Sequence, residues 1–169
     1  WFSWIGIPYL LKFIWSPLMD RYMPPFLGRR RGWMLLTQLA LILGIAGMAF
    51  SSPYADLWLL GCLALWVAFM SASQDIVIDA YRADLLPAPE RGMGAAVGVL
   101  GYRIAMLASG GLALILADQI GWRQTFFVMA ALMGVGLATS LAAPEPAVGG
   151  TPPRSLREAV VEPLKDLLL

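Results

Sequence analysis

Apolar residues along this chain gather in five long runs separated by short polar stretches. The runs cover about residues 1–19, 33–50, 57–80, 94–117 and 122–143. Each is close to the ~20 residues a helix needs to cross a hydrocarbon core about 30 Å thick. In lipid the backbone must satisfy its own hydrogen bonds, so the pattern predicts five transmembrane helices in an all-α polytopic bundle. Pro8 and Pro17 fall inside the first run and are expected to bend it.

The polar stretches set the orientation. Arg21, Arg29, Arg30, Arg31, Arg82, Arg91, Arg154, Arg157 and Lys165 lie between or after the runs on one side, whereas Arg123 is alone on the other. By the positive-inside rule the nine-residue side is cytoplasmic. Trp1, Trp4, Trp33, Trp58 and Trp122 fall near run ends, as interfacial aromatics do. Residues 144–169 read as a cytoplasmic tail: a Pro- and Gly-rich linker, then a short amphipathic helix. Ser155 to Glu158 resembles a capping box, and Leu156, Val160 and Leu164 share one face, with Pro163 limiting its length.

Composition agrees. Hydrophobic residues make up 59% of the 169 and charged residues 14%, against about 25% charged in soluble domains. Mean hydropathy is +0.71. The lipid bilayer is therefore the first partner implied, and no nucleic acid is expected. The chain has no His and one Cys, which leaves no disulfide, Cys/His zinc site or His-based acid–base chemistry. No catalytic residue, metal or cofactor is expected, and the chain reads as other than an enzyme. Cys62 reads as a small packed residue. The opening at Trp1 shows neither a charged n-region nor a cleavage site, so the chain is expected to be a piece of a longer protein.

Several charges fall inside the runs. Counting ~1.5 Å per residue, Lys12 lies about 12 Å in from Asp20, Asp75 about 10 Å in from Arg82, and Arg103 about 13 Å in from Gly94. Three helices thus place charge at one depth. The runs at 33–50 and 122–143 hold none away from their ends, Arg123 standing at the edge of the second, and are expected outside, around a polar interior. Ser71, Gln74, Asp75, Asp79 and Arg82 recur at spacings of three and four and form one polar stripe. Ionised Asp75 and Asp79 would repel at i, i+4, unless one is protonated or a cation stands near. A charge inside a bilayer costs at least ~2.5–3.5 kcal/mol and ordinarily marks a pathway or proton relay; a static ion-pair network is the alternative. Gly94, Gly98, Gly101, Gly110 and Gly111, with Ser71 to Ser73, suggest close helix contacts.

WSPLMDRYMPPFLGRRRGW (Trp15–Trp33) resembles the Asp-Arg…Gly-Arg-Arg loop between helices two and three of the major facilitator superfamily. LPAPERGMGAA (Leu85–Ala96) is similar to its Pro-x-x-x-Arg-Gly loop, and GWRQTF (Gly121–Phe126) to its entry into helix six. GIPYLLKFIWSPLMDRY, SASQDIVIDAYRADLLP and LGYRIAMLASGGLALILAD resemble the AmpG-type muropeptide permeases. The acetyl-CoA transporter branch shares part of the pattern.

The resemblance implies helices two to six of a twelve-helix carrier, completed by a first helix and a second half elsewhere in the same protein. It implies proton-coupled import of anhydro-muropeptides, an anionic sugar-peptide substrate, across the bacterial inner membrane. Asp75 and Asp79 become candidates for proton coupling. Arg103 and Lys12 would attract substrate carboxylates, and Tyr9, Gln74 and Tyr102 would donate hydrogen bonds. Asp20, Arg21, Arg29, Arg30, Arg31 and Arg82 correspond to the superfamily's cytoplasmic gate, where charge pairs hold the outward-open state. A carrier of another large anionic solute, such as acetyl-CoA, and a non-transporting membrane subunit are the competing readings.

Overall fold

The structure, a computed structural model, describes residues 2–51 and 57–146. The tail helix expected after Ser155 lies outside them.

The first apolar run is not one bent helix. It is a succession of short turns: a 3₁₀ turn at Phe2–Gly6, α1 at Ile7–Leu11, a 3₁₀ turn at Lys12–Ile14 and α2 at Ser16–Arg21. Pro8 and Pro17 stand in the first turns of α1 and α2. A proline there gives up no helical hydrogen bond, but the residues before it cannot continue a helix into it. Each proline therefore starts a new short helix instead of bending a long one, and the apolar part, Trp4–Ile14, is shorter than a membrane span.

Four continuous stretches among the described residues are long and apolar enough to cross a membrane. They are α3 (Arg29–Met48), α4 (Leu57–Leu85), the rod Ala88–Ile120 and α7 (Trp122–Ala142). The rod contains α5 (Arg91–Leu107), a wide π turn at Ala108–Leu112 and α6 (Ala113–Ile120). Both α3 and α4 run past their apolar runs at the arginine-rich end, because hydropathy marks the lipid core rather than the helix. Gly121, at φ +84°, turns the chain from α6 into α7 in a single residue, a backbone state that L side chains rarely adopt.

Within the described residues α3 is the most enclosed helix, flanked by α4 on one side and α7 on the other. Expectation had put this run outside. Charge alone guided that reading, whereas the fit comes from small and polar residues. A Cβ on Gly44 would stand 2.8 Å from Val67 Cγ2 and 2.9 Å from Trp66 Cδ1, so α4 packs directly on the α3 backbone there. Gln38 Nε2 donates to Ser140 Oγ at 2.8 Å, joining α3 to α7. Lipid tails are as apolar as leucine, so contacts of this kind, averaging about 0.6 kcal/mol per interhelical hydrogen bond, hold such helices together. Met19, Met34 and Val77 form a buried cluster under Trp15, Trp33 and Tyr81, tying α2 to α3 and α4. By contrast α5 is exposed along nearly its whole length.

Candidate functional site

Charged side chains gather in two places, one at the arginine-rich end of the bundle and one a few turns inward on α4.

The end cluster is built on Arg30. Three arginines open the α3 stretch, and its first turn has no acid to offset the partial positive charge of a helix N-terminus. The acids come from elsewhere. Arg30 Nη1 donates to Asp20 Oδ1 of α2 at 2.6 Å, and its Nε to Asp84 Oδ2 of α4 at 2.6 Å. The Arg30 side chain is only 11% exposed, so the planar guanidinium is closed between two carboxylates from two helices. Arg29 donates to the Asp20 carbonyl. Glu145, just beyond α7, accepts the backbone N–H of Arg30 at 3.0 Å with Oε1 and that of Arg31 at 3.1 Å with Oε2. This caps α3 from outside the helix. The Arg31 side chain returns the link, donating to the carbonyls of Ser140 and Leu141 at the end of α7. Tyr81 donates to the Pro144 carbonyl at 2.8 Å. Four helix ends are thereby clasped.

Of the six expected gate residues, Asp20, Arg29, Arg30 and Arg31 meet in this clasp. Arg21 instead lies over its neighbour Tyr22, 5.8 Å from the ring centroid. Arg82 pairs with Asp79 on its own helix. Asp84, Glu145 and Tyr81 went unremarked in the sequence; the available signal was the arginine-rich start of α3, whose dipole and charges require acids from neighbouring segments.

The second place is the polar stripe of α4. Asp75 is exposed on the helix surface. Asp79 and Arg82 follow it one and two turns along the same helix, and neither Lys12 nor Arg103 forms an ion pair with it among the described residues. Arg103 and Tyr102 lie exposed on α5, with no hydrogen bond or ion pair among the described residues. The Tyr9 hydroxyl is engaged, donating to Ser71 Oγ at 2.8 Å. The side-chain oxygen of Gln74 is buried without a partner. Arg82 rests against α5 at Gly98, where a Cβ would overlap its guanidinium, and Leu86 fills the equivalent space at Gly94. Two glycines of the small-residue pattern thus seat α4 on α5, while Gly101, Gly110 and Gly111 face open space. Arg91 closes this corner, donating to the carbonyls of Leu86 and Ala83 at the end of α4.

Spanning helices with ionisable side chains on their polar faces define a polytopic membrane protein. The family model of the Major Facilitator Superfamily matches residues 2–169, and the chain belongs to that family.

Among curated relatives, the anhydromuropeptide permease of Escherichia coli K12 is 55% identical over 166 residues, 98% of this chain and 34% of the relative. An uncharacterized Haemophilus influenzae protein is 46% identical over 137 residues, 81% of this chain and 32% of its own length. A putative transporter of Rickettsia felis, AmpG 4, is 35% identical over 139 residues, 79% of this chain and 34% of the relative. The chain spans about a third of the length of the curated relatives it matches.

Proposed function

We infer that this chain is part of a carrier that moves anhydro-muropeptides across the bacterial inner membrane, driven by protons. The single observation behind the substrate is the 55% identity to a protein named anhydromuropeptide permease across 98% of this chain. No catalytic step enters this reading. A first helix and a second half, elsewhere in the same protein, complete the carrier. Residues 1–143 supply five membrane segments, and residues 144–169 follow as a cytoplasmic tail. The end holding Arg30 faces the cytoplasm, since it carries nine of the ten loop and tail cations.

Asp75 is the proton-linked acid in this mechanism. It sits on a spanning helix, open on its surface, with Asp79 and Arg82 one and two turns further along the same helix. A carboxylate so placed changes charge with its surroundings: a proton, or the approach of an anionic substrate to Lys12, alters its balance. Asp79, already paired with Arg82, is the second acid of the coupling path. Arg103 and Tyr102, exposed and unpaired among the described residues, take substrate carboxylate and hydroxyl groups with Gln74 and Lys12. The clasp of Asp20, Arg30, Asp84 and Glu145 holds the cytoplasmic ends together while the carrier is open to the outside.

The test is uptake of labelled anhydro-muropeptide by the full-length carrier in vesicles with an imposed pH gradient. Asp75→Asn is expected to abolish gradient-driven uptake while remaining in the membrane at parental amounts; normal pH-dependent uptake would sink the role. Competition by a coenzyme A thioester in place of the muropeptide would redirect the substrate.

A further inference from the structure

The end of the bundle far from the arginine clasp carries a cavity of about 210 Å³. It lies among the end of α3, the first turn of α4 and the first turns of α7. Met48, Ala49, Leu60 and Phe126 line it with apolar surface, and Trp122 and Arg123 contribute exposed side chains. Its hydroxyl group is that of Ser51, which is turned onto the Gly47 carbonyl at 3.5 Å. From the clasp to this point α3 runs 20 residues, about 30 Å, which is one hydrocarbon thickness. With the clasp at one membrane surface, the cavity lies at the other. Trp122, 52% exposed, stands there as interfacial aromatics do.

Arg123 is the cation of this end: no other Lys or Arg occurs in residues 49–58 or 118–124. Its guanidinium lies over the Phe50 ring, 5.6 Å from the centroid, and Phe50 meets Phe127 edge-on at 5.5 Å. Stacking of this kind holds the guanidinium by its face and leaves the N–H fork at its rim free to donate. Asp118, five residues earlier, makes no ion pair with Arg123, and Arg123 has no hydrogen bond among the described residues. A charged fork thus stands beside an apolar cavity at headgroup level, with no carboxylate of the described residues against it.

We propose that this is a binding site for an anionic phospholipid of the leaflet opposite the arginine-rich end. Arg123 takes the phosphate in a two-pronged contact, and the start of an acyl chain enters between Met48, Leu60 and Phe126. The lining selects the class of ligand. A sugar-peptide needs partners for many hydroxyl and amide groups, whereas this lining offers one hydroxyl, already engaged. A phospholipid needs one anion contact and apolar surface. A zwitterionic lipid brings its own ammonium, which competes with Arg123 for the phosphate, so a net negative headgroup is preferred. The site requires only that the helices span a bilayer and is independent of what the carrier transports.

The experiment labels the site directly. The purified full-length carrier, in phosphatidylcholine nanodiscs, is titrated with a phosphatidylglycerol bearing a photoactivatable diazirine on an acyl carbon near the glycerol. After irradiation, labelled peptides are mapped by mass spectrometry. Saturable labelling is expected in the peptides that hold Met48, Leu60 and Phe126. Arg123→Gln should raise the half-saturating concentration about tenfold, as loss of one charge-assisted contact does. Leu60→Trp, which fills the cavity and leaves Arg123 in place, should abolish labelling there. Arg123 is exposed, so its Gln variant should melt with the parent and carries the test even if Leu60→Trp does not fold. Equal half-saturation in parent and Arg123→Gln overturns the site. Displacement of the label by unlabelled phosphatidylethanolamine as readily as by unlabelled phosphatidylglycerol overturns the preference for an anionic headgroup. Displacement by inorganic phosphate or by soluble anhydro-muropeptide overturns the lipid assignment and gives Arg123 to a free anion or to the substrate.

Discussion

Arg30 Nε, at the start of α3, lies 2.6 Å from Asp84 Oδ2 at the far end of α4, while Nη1 of the same guanidinium bonds Asp20. One planar group thus serves two carboxylates at a fixed angle, which an ammonium on a flexible stem cannot reproduce. Arg30→Lys is expected to keep one partner and lose the other, at about 1.5–3 kcal/mol for a hydrogen bond to a charged group. Arg30→Met leaves both carboxylates without their shared cation and costs more. It stays below the ~3–5 kcal/mol of a fully buried pair, because Asp20 and Asp84 remain 38% and 31% exposed. Thermal melting of the full-length carrier in detergent, parent against both variants, measures this. A Lys variant melting with the parent would show that the two-way fork is dispensable.

Glu145 is expected to behave as a helix cap supplied from a distance. Glu145→Ala should cost about 0.5–2 kcal/mol, the usual loss of a side-chain cap, and Glu145→Gln roughly half, since one acceptor oxygen remains. Gly28 gives this prediction a second arm. Its φ of +83° and ψ of 179° lie in a region open essentially to glycine alone, and a Cβ there would stand 2.5 Å from Glu145 Cδ. Gly28→Ala therefore carries two penalties, backbone strain and displacement of the cap. In a Glu145→Ala background only the strain, about 1–3 kcal/mol, should remain. A double-mutant cycle on the melting temperature reads the difference. Strict additivity would mean that Gly28 and Glu145 do not meet.

Much of this arrangement is legible in the chain. The long apolar runs give spanning helices because lipid admits little else, and the arginine-rich loop announces a charged end. The reading failed where sequence neighbours mattered less than partners far along the chain. Pro8 and Pro17 could be seen, but whether a proline bends a helix or starts a new one depends on where the preceding residues find their hydrogen bonds. Asp84 and Glu145 lie 54 and 115 residues from Arg30 and carry no local pattern that ties them to it. Depth along each helix puts Lys12, Asp75 and Arg103 at one level, but it says nothing of the direction around a helix axis, and neither cation forms an ion pair with Asp75 among the described residues.

Gly98 is where α4 and α5 meet most closely over a charged side chain. The Arg82 guanidinium occupies the space a Cβ would need, and its other face holds Asp79. Gly98→Ala should push the guanidinium aside without separating the helices, since the end of a long side chain moves cheaply. The lost Asp79–Arg82 pair is 59% and 36% exposed at its two side chains, so the melting temperature should change by the equivalent of only about 0.2–1 kcal/mol. Gly98→Leu cannot be accommodated in this way, and by wedging α5 from α4 it should cost about 1–3 kcal/mol, the usual range for overpacking. Gly101→Ala, with open space around it, is the control and should be neutral or slightly stabilising through helix propensity. The graded order of Leu, Ala and parent at position 98, set against a flat response at position 101, would separate steric seating of Arg82 from a general need for glycine in α5. Equal losses for Gly98→Ala and Gly101→Ala would count against Gly98 as the seat of Arg82.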